Sequence, residues 1–498
     1  MVEIERLKQD AQQGKITTDQ LVDLIAKLQT KLQQALKRLE QLEQPPGGSN
    51  PAKVDEPFSM RAEELRQQTR GERKKRKPKS KKRRGRVSTA EKVKQAQRTE
   101  QVFPDGVDPG QCQLSHVRPV WRLENGRALL VAYHVYRGPG NRYGQIPGVL
   151  GRSEFGLEIV IEIAYLVYVV GLSFDKVCLL LNFFQQLRLG KSQADALLRR
   201  LARHWEKEFD ALCVLLANSL VVHADETSWS LNSVWAYLSE KARILLFGVH
   251  KDADTMKLLL DPASFAGIVI SDDAAVYGDF SRSQKCWAHL LRKAIKLTLQ
   301  DPGNAEYRTF ADRLLEIYRE ACRVQRDRRL GDAGRARRVG ALEDEILFLC
   351  PSWALESGPL RGLRDDYRRL VNEVARLMID EQLFVFVTAK PVEQPNGVSA
   401  GVAGTNNEAE RTLRGAAEAR KTGRTNKSPA GARRQTVVTS VLQSLRLYLS
   451  SFTLAGVMEE VGRWVETGRS CFVKLVLKLK LTGSNKSILD QVLPEPDG

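Results

Sequence analysis

Between residues 219 and 273 the chain follows an order of segments that few folds use. SLVVHA, VWAYL and RILLFGV read as three strands, HKDADTMKLLL as a helix, and GIVISDD as a fourth strand. Acids stand at the ends of the first and the fourth, as Asp225-Glu226 and Asp272-Asp273. Three strands, a helix and a strand place strands one and four side by side, so that Asp225 and Asp272 face each other. Taken singly, each pair is an ordinary strand-end turn. Two pairs at the ends of neighbouring strands point to a metal site, because two hard cations held roughly 3.5–4 Å apart need oxygen ligands from several carboxylates.

The surrounding chain makes that acidic centre unexpected. Over 498 residues the formal charge is +18, which suits a protein working against a polyanion, and nucleic acid is the first candidate partner. Bound cations would invert the local charge at the acids and let phosphate approach. A membrane surface is the second candidate. Its best apolar run, Ile159 to Phe174, is interrupted by Glu162 and short of the ~20 residues a span needs, so it reads as a buried helix or strand pair. The N-terminus lacks the apolar core of a secretory signal, and a cytoplasmic protein is expected. Seven cysteines, with no C-x-x-C pair, argue for reduced thiols and against a disulfide framework or a four-cysteine zinc site.

Four regions flank the strands. Thr18, Leu21, Ile25, Leu28, Leu32, Ala35, Leu39 and Leu42 alternate steps of three and four, the seam of a coiled coil over residues 1–45 or of an amphipathic helix docked on its own domain. PPGGSN ends it. Residues 46–114 read as a disordered basic linker. Its core, residues 70–86, holds twelve Lys or Arg in seventeen positions. Arg73, Lys74, Lys75, Arg76, Lys81, Lys82, Arg83 and Arg84 there are expected to bind nucleic acid without reading bases. Residues 115–215 read as mostly helical, after a hairpin at Asn125-Gly126. Two helices meeting near Leu189-Gly190, with Ser192 as a cap, have helix-turn-helix spacing and offer Arg199, Arg200 and Arg203 to DNA backbone. Two packed core helices fit that pattern equally. Residues 466–498 read as a tail.

A third carboxylate should come from a helix, and GTNNEAERTLRGAAEARK holds Glu408 and Glu410. Thr405 and Glu408 fit a capping box, which would leave Glu410 free for the site. Cys286 and His289 form a C-x-x-H whose spacing shows no second ligand pair, so a structural zinc is not expected. His289 should instead lie one helical turn from Cys286, near the active centre or the DNA. The strand order as a whole is that of a ribonuclease-H-like sheet.

Assembled, HADETSW, GIVISDDAAVY with CWAHLLR, and TNNEAERTLR with ARKTGRTN and TVVTSVLQSLRLYL make the chain resemble the transposases of the bacterial insertion sequence 66 family over roughly residues 115–465. The resemblance implies an α/β, ribonuclease-H-like catalytic domain over 216–465, with Asp225, Asp272 and Glu410 on two Mg2+ ions, for which Mn2+ can substitute. It implies a helical insertion at about 302–385, since Asp272 and Glu410 stand 138 residues apart. It also implies double-stranded DNA as partner, a homodimer or larger homo-oligomer, and DNA-handling roles for Cys286, His289, Arg411, Arg414 and Lys421. Relatives carry a cysteine-rich module before the catalytic domain; here only Cys112 and the basic block stand there. A nuclease without strand transfer and a silent DNA-binding derivative are the alternatives.

Overall fold

Local signals explain the first ordered elements. The structure, a computed structural model, describes residues 87–350, 363–481 and 487–493. The coiled-coil seam and the basic block, with Arg73, Lys74, Lys75, Arg76, Lys81, Lys82, Arg83 and Arg84, lie outside the described residues. Ser88 opens α1 (Thr89–Lys94) through a reciprocal capping box with Glu91. Strands β1 (Arg98–Val102), β2 (Gln113–Glu124), β3 (Arg127–Gly138) and β4 (Arg142–Tyr143) then form a sheet in which β3 pairs with all three others. The β2–β3 hairpin turns at Asn125 and Gly126, both at positive φ, the conformation an Asn-Gly turn provides. One expectation is corrected here. The linker does not run to residue 114, because β1 pairs with β3 and α1 packs against the sheet, and the segment from 115 holds, with the expected hairpin, a sheet that also takes in β1 and β4.

Helices α2 (Leu157–Tyr168), α3 (Phe174–Gln185) and α4 (Lys191–Ala217) follow. α2 carries the long apolar run; its Ile159, Val160, Ile161, Ile163 and Ala164 are buried, and Glu162 accepts a hydrogen bond from Gln185. Among the described residues no helix is long and apolar enough to cross a membrane. Gln186 ends α3 in the left-handed region, and Gly190, whose N–H donates to Gln193 Oε1, caps α4 in place of the expected Ser192. α4 turns Leu198, Leu201, Trp205, Phe209 and Leu212 into the main core, so the helix pair packs as core helices.

The central sheet comprises β5 (Val221–Ser228), β6 (Ser233–Ser239), β7 (Arg243–Val249), β8 (Ile268–Ser271) and β9 (Ser283–Lys285), with α5 (Ala253–Lys257) between β7 and β8. Its order is β7-β6-β5-β8-β9; β5, β6 and β7 run antiparallel, while β8 and β9 lie parallel to β5. This three-two-one-four-five order is consistent with a ribonuclease-H-like domain. After it come α6 (Trp287–Gln300), α7 (Ala305–Arg326), α8 (Asp332–Leu349), α9 (Leu363–Ile379), α10 (Val385–Thr388) and a short hairpin of β10 (Val392–Glu393) and β11 (Ser399–Ala400). The chain ends with α11 (Asn407–Lys421), α12 (Pro429–Leu445), α13 (Leu454–Thr467), α14 (Cys471–Lys478) and α15 (Ile488–Val492).

Strand alternation divides the sheet into two faces. Val222, Ala224, Trp235, Tyr237, Ile244 and Leu246 face the main core with α2, α4, α12 and α13. Val234 and Ala236 on the other face meet Leu413 and Ala416 of α11, while Val221, Ile268 and Ile270 meet the core built by α6 to α10. The expected tail joins the main core: Phe472 and Leu489 are fully buried, and Asp490 pairs with Arg433 at 2.7 Å.

Both edges of this sheet are closed. On β7, the N–H groups of Arg243, Leu245 and Phe247 donate to Ser444 Oγ, Ser440 Oγ and Thr436 Oγ1 of α12 at 2.9, 3.0 and 3.0 Å. Every second strand residue meets every fourth helix residue, because two strand steps of about 3.3 Å nearly match four helix steps of about 1.5 Å. On β9, the Lys285 N–H donates to Gln382 O at 2.8 Å, and Gln284 bonds Phe386 N–H and Leu383 O.

Candidate active site

The period of two along β5 sends its adjacent acids to opposite faces. Glu226 goes with Ala224 toward the main core, where Lys251 Nζ lies 2.6 Å away and the Tyr277 hydroxyl donates to it. Asp225 goes with Val221 and His223 to the other face. β8 lies parallel beside β5, with Ile268 and Ile270 level with Val221 and His223, and the same alternation carries Asp272 onto Asp225's face. Glu410 reaches that face from the first turn of α11.

The electrostatics register this convergence. Burial raises the Asp225 carboxyl from 3.8 to about 7, and the charges of Glu226, Asp272 and Glu410 add to the rise, while the Glu226 N–H it accepts at 2.9 Å opposes it. Asp272 Oδ1 accepts the Ala274 N–H at 3.1 Å. Asp273 is turned away to Arg376 of α9. Buried Lys285 donates from Nζ to Asp272 O at 3.1 Å and Ser271 Oγ at 3.3 Å, and burial pushes its ammonium pKa down.

Glu410 Oε1 lies 2.6 Å from Arg292 Nη2 and 3.6 Å from His289 Nδ1. The expected capping box is absent: Asn406, not Thr405, caps α11, and Glu408 pairs with Arg243. Glu410 is therefore left facing Asp225 by the Glu408–Arg243 pair and not by a capping box. What places α11 is Asn406, fully buried, whose Nδ2 donates to Ala224 O at 2.8 Å and whose Oδ1 meets His223 Nδ1 at 3.2 Å. Its backbone N–H donates to Cys286 Sγ at 3.1 Å, so one side chain and its amide tie β5, α6 and α11 together. Gly404, two residues earlier, allows the approach: a Cβ there would stand 3.0 Å from the Phe386 ring.

Cys286 caps α6 and is 2% exposed, with its sulfur facing inward. This corrects the expectation that its thiol meets DNA. His289 stands one turn on and is partly exposed. Arg411, Arg414 and Lys421 are exposed on α11, and Glu410, Arg414 and Lys421 fall on one stripe at steps of four and seven. Of the residues the strand pattern did not single out, Asn406, Lys285 and Arg292 touch the acids or hold them. The repeated asparagine of TNNE was the available signal for the first; the other two are set by contacts between distant segments.

Three carboxylates on one sheet face, one of them raised chiefly by burial and further by its acidic neighbours, are a hard-oxygen donor set, and they fit a divalent cation of the magnesium type. A mixed sheet of this order, with acids at the ends of its two central parallel strands, is consistent with the class of ribonuclease-H-like transposase domains. The chain belongs to the IS66 family of transposases, since the family's sequence pattern, described as "Transposase IS66 family", matches residues 152–434. That match runs from just before α2 into α12. No curated protein matches the chain.

Proposed function

We propose that the chain is the transposase of a bacterial insertion sequence, binding the element's ends and catalysing phosphodiester hydrolysis followed by DNA strand transfer. The observation that carries this is the convergence of Asp225, Asp272 and Glu410 on one sheet face, with Asp225 raised to about 7 by burial and by its acidic neighbours. Asp225 and Asp272 would hold two Mg2+ ions, or Mn2+ in their place, and Glu410 would complete the second position. Bound there, the ions supply Lewis acidity to the attacking and leaving oxygens of a phosphodiester.

The chain's own groups set the rest. Lys285 fixes the backbone that carries Asp272. Arg292 is paired with Glu410 in this structure and would be released as a phosphate contact if Glu410 served as a metal ligand. Arg411, Arg414, Lys421 and the exposed edge of His289 extend this cationic track along α11. The basic block before residue 87 adds sequence-independent, salt-sensitive affinity. In the first step the oxygen of water bonds to phosphorus and the 3′ oxygen leaves with a proton. In the second, that 3′ hydroxyl attacks a phosphorus of target DNA and displaces the target's own 3′ oxygen, so bonds exchange one for one. The N-terminal seam would join two or more copies, and the work takes place in the cytoplasm with the DNA.

The test is cleavage and joining of labelled, end-bearing DNA with magnesium by the full chain, beside Asp225→Ala and Glu410→Ala. Joined products that vanish in both variants are expected. Cleavage without joining would mean a nuclease. Binding without any metal-dependent product would mean a silent derivative.

A further inference from the structure

Beside the acids lies a second donor set of different chemistry. Cys286, His289 and Glu410 offer a sulfur, an imidazole nitrogen and a carboxylate oxygen that all lie within 4.8 Å of one another. The C-x-x-H spacing contributes two of these from the cap and first turn of α6, and the fold brings the third from α11. We propose that these three residues form a site for a thiophilic divalent cation of the zinc class.

Independent features support it. His289 Nδ1 is buried without a hydrogen-bond partner and faces Glu410 at 3.6 Å. The Cys286 sulfur receives N–H groups from Asn406, Ala288 and His289, donors that favour a thiolate where burial alone disfavours it. A cleft of about 580 Å³ lined by Asp272, Lys285, Cys286, His289, Lys293 and Arg376 gives an ion a way in. In a tetrahedral zinc site with bonds of about 2.0–2.3 Å, neighbouring ligand atoms stand roughly 3.3–3.8 Å apart, a closure that rotations of the partly exposed His289 and Glu410 side chains can supply. Three protein ligands leave a fourth position open. Softness separates the sites: sulfur and imidazole select zinc over magnesium, whereas Asp225 and Asp272 offer oxygen alone.

The shared ligand gives the site its consequence, and this part rests on the function proposed above. A zinc-class ion that takes Glu410 also breaks the Glu410–Arg292 pair and removes the third carboxylate from the magnesium set. Cys286 loses its proton to solvent as the metal–sulfur bond forms. Thiophilic metal then opposes magnesium-dependent cleavage.

The experiment titrates the metal-free full chain with Co2+, a spectroscopic stand-in for zinc. One equivalent should give a thiolate-to-cobalt charge-transfer band with the visible bands of a four-coordinate ion, and zinc should displace it. Cys286→Ser should lose the charge-transfer band. His289→Gln, at a partly exposed position that leaves the fold intact, should weaken cobalt binding by roughly tenfold or more. No charge-transfer band in the wild type, or a band unchanged in both variants, overturns the site. Zinc should also inhibit cleavage by the wild type at lower concentration than it inhibits Cys286→Ser; equal inhibition overturns the shared-ligand consequence. A wild type that never cleaves with magnesium defeats the proposed function, while the cobalt spectrum still decides the metal site.

Discussion

Asp225 and Glu226 are neighbours in sequence and opposites in the fold. Glu226 points into the main core, where an ammonium and a phenol meet its charge. Asp225 points toward two further carboxylates, and burial, with the charges of Glu226, Asp272 and Glu410 added, raises its pKa to about 7. A buried acid with its own counter-charge is a structural element; a buried acid surrounded by other acids is destabilising until a cation arrives. The two faces of one strand thus separate an acid matched by its own counter-charge from one held among other acids.

The largest effect expected from breaking this contrast is on activity. Asp225→Asn should lower cleavage by on the order of 10³-fold, the equivalent of several kcal/mol of lost charge stabilisation, in a product assay with magnesium. Glu226→Gln should change cleavage only a few-fold and instead lower stability by about 1–3 kcal/mol in chemical denaturation, because Lys251 and Tyr277 lose an anionic acceptor. A larger activity loss in Glu226→Gln than in Asp225→Asn would reverse the assignment of the two faces.

Asn406 is the next point of attack. Asn406→Ala orphans the Ala224 carbonyl and the His223 ring nitrogen, at about 1–3 kcal/mol for each buried group, and lets α11 shift with Glu410. Denaturation midpoint and cleavage rate should fall together in this variant.

The third prediction sharpens the electrostatic side. Below 3.8 the Asp225 carboxyl is protonated whether the chain is folded or not, so it contributes nothing there. Between 3.8 and about 7 the unfolded chain releases a proton that the folded chain keeps, so metal-free stability falls as pH rises through that window and stays lowered above it. Melting in chelator should show this decline, and Asp225→Asn should flatten it. Magnesium should raise the melting temperature more above pH 7 than at acid pH, because binding favours the ionised folded state. The smallest effect is expected far from the acids: Ser440→Ala leaves the buried Leu245 N–H without its acceptor and should cost about 1–2 kcal/mol, with cleavage by the remaining folded protein unaltered.

Much of this was readable before any coordinates. The strands and the pairing of the first with the fourth followed from β-branched runs and spacing, and the Asn125-Gly126 turn from the positive φ both residues tolerate, whereas Glu410 was reached through a capping box that the fold does not form. The fate of Glu226 was open to the same reasoning, since strict alternation already forbids two adjacent strand residues on one face. Other features were hidden for physical reasons. Glu408 looked like a cap partner of Thr405 because local patterns cannot foresee Arg243, which arrives from the edge strand. Asn406 matters through groups over 180 residues earlier in the chain, at a separation no local rule reaches. The C-x-x-H lacked a partner in sequence and acquires one only when α11 docks. The helix and strand at 89–102 and the packed helices after 466 were taken for linker and tail because charge and turn residues there mask short strands and helices that depend on tertiary contacts.

The hydroxyl ladder of α12 has a further consequence. A sheet with a bare margin is a template on which any extended peptide, including another copy of the same chain, can add a strand. Thr436, Ser440 and Ser444 occupy that margin on one side, and the backbone carbonyl of Gln382 meets it at Lys285 on the other. A second copy of the chain therefore finds the donors of these edge strands already taken, and the register of the sheet is fixed from within one chain.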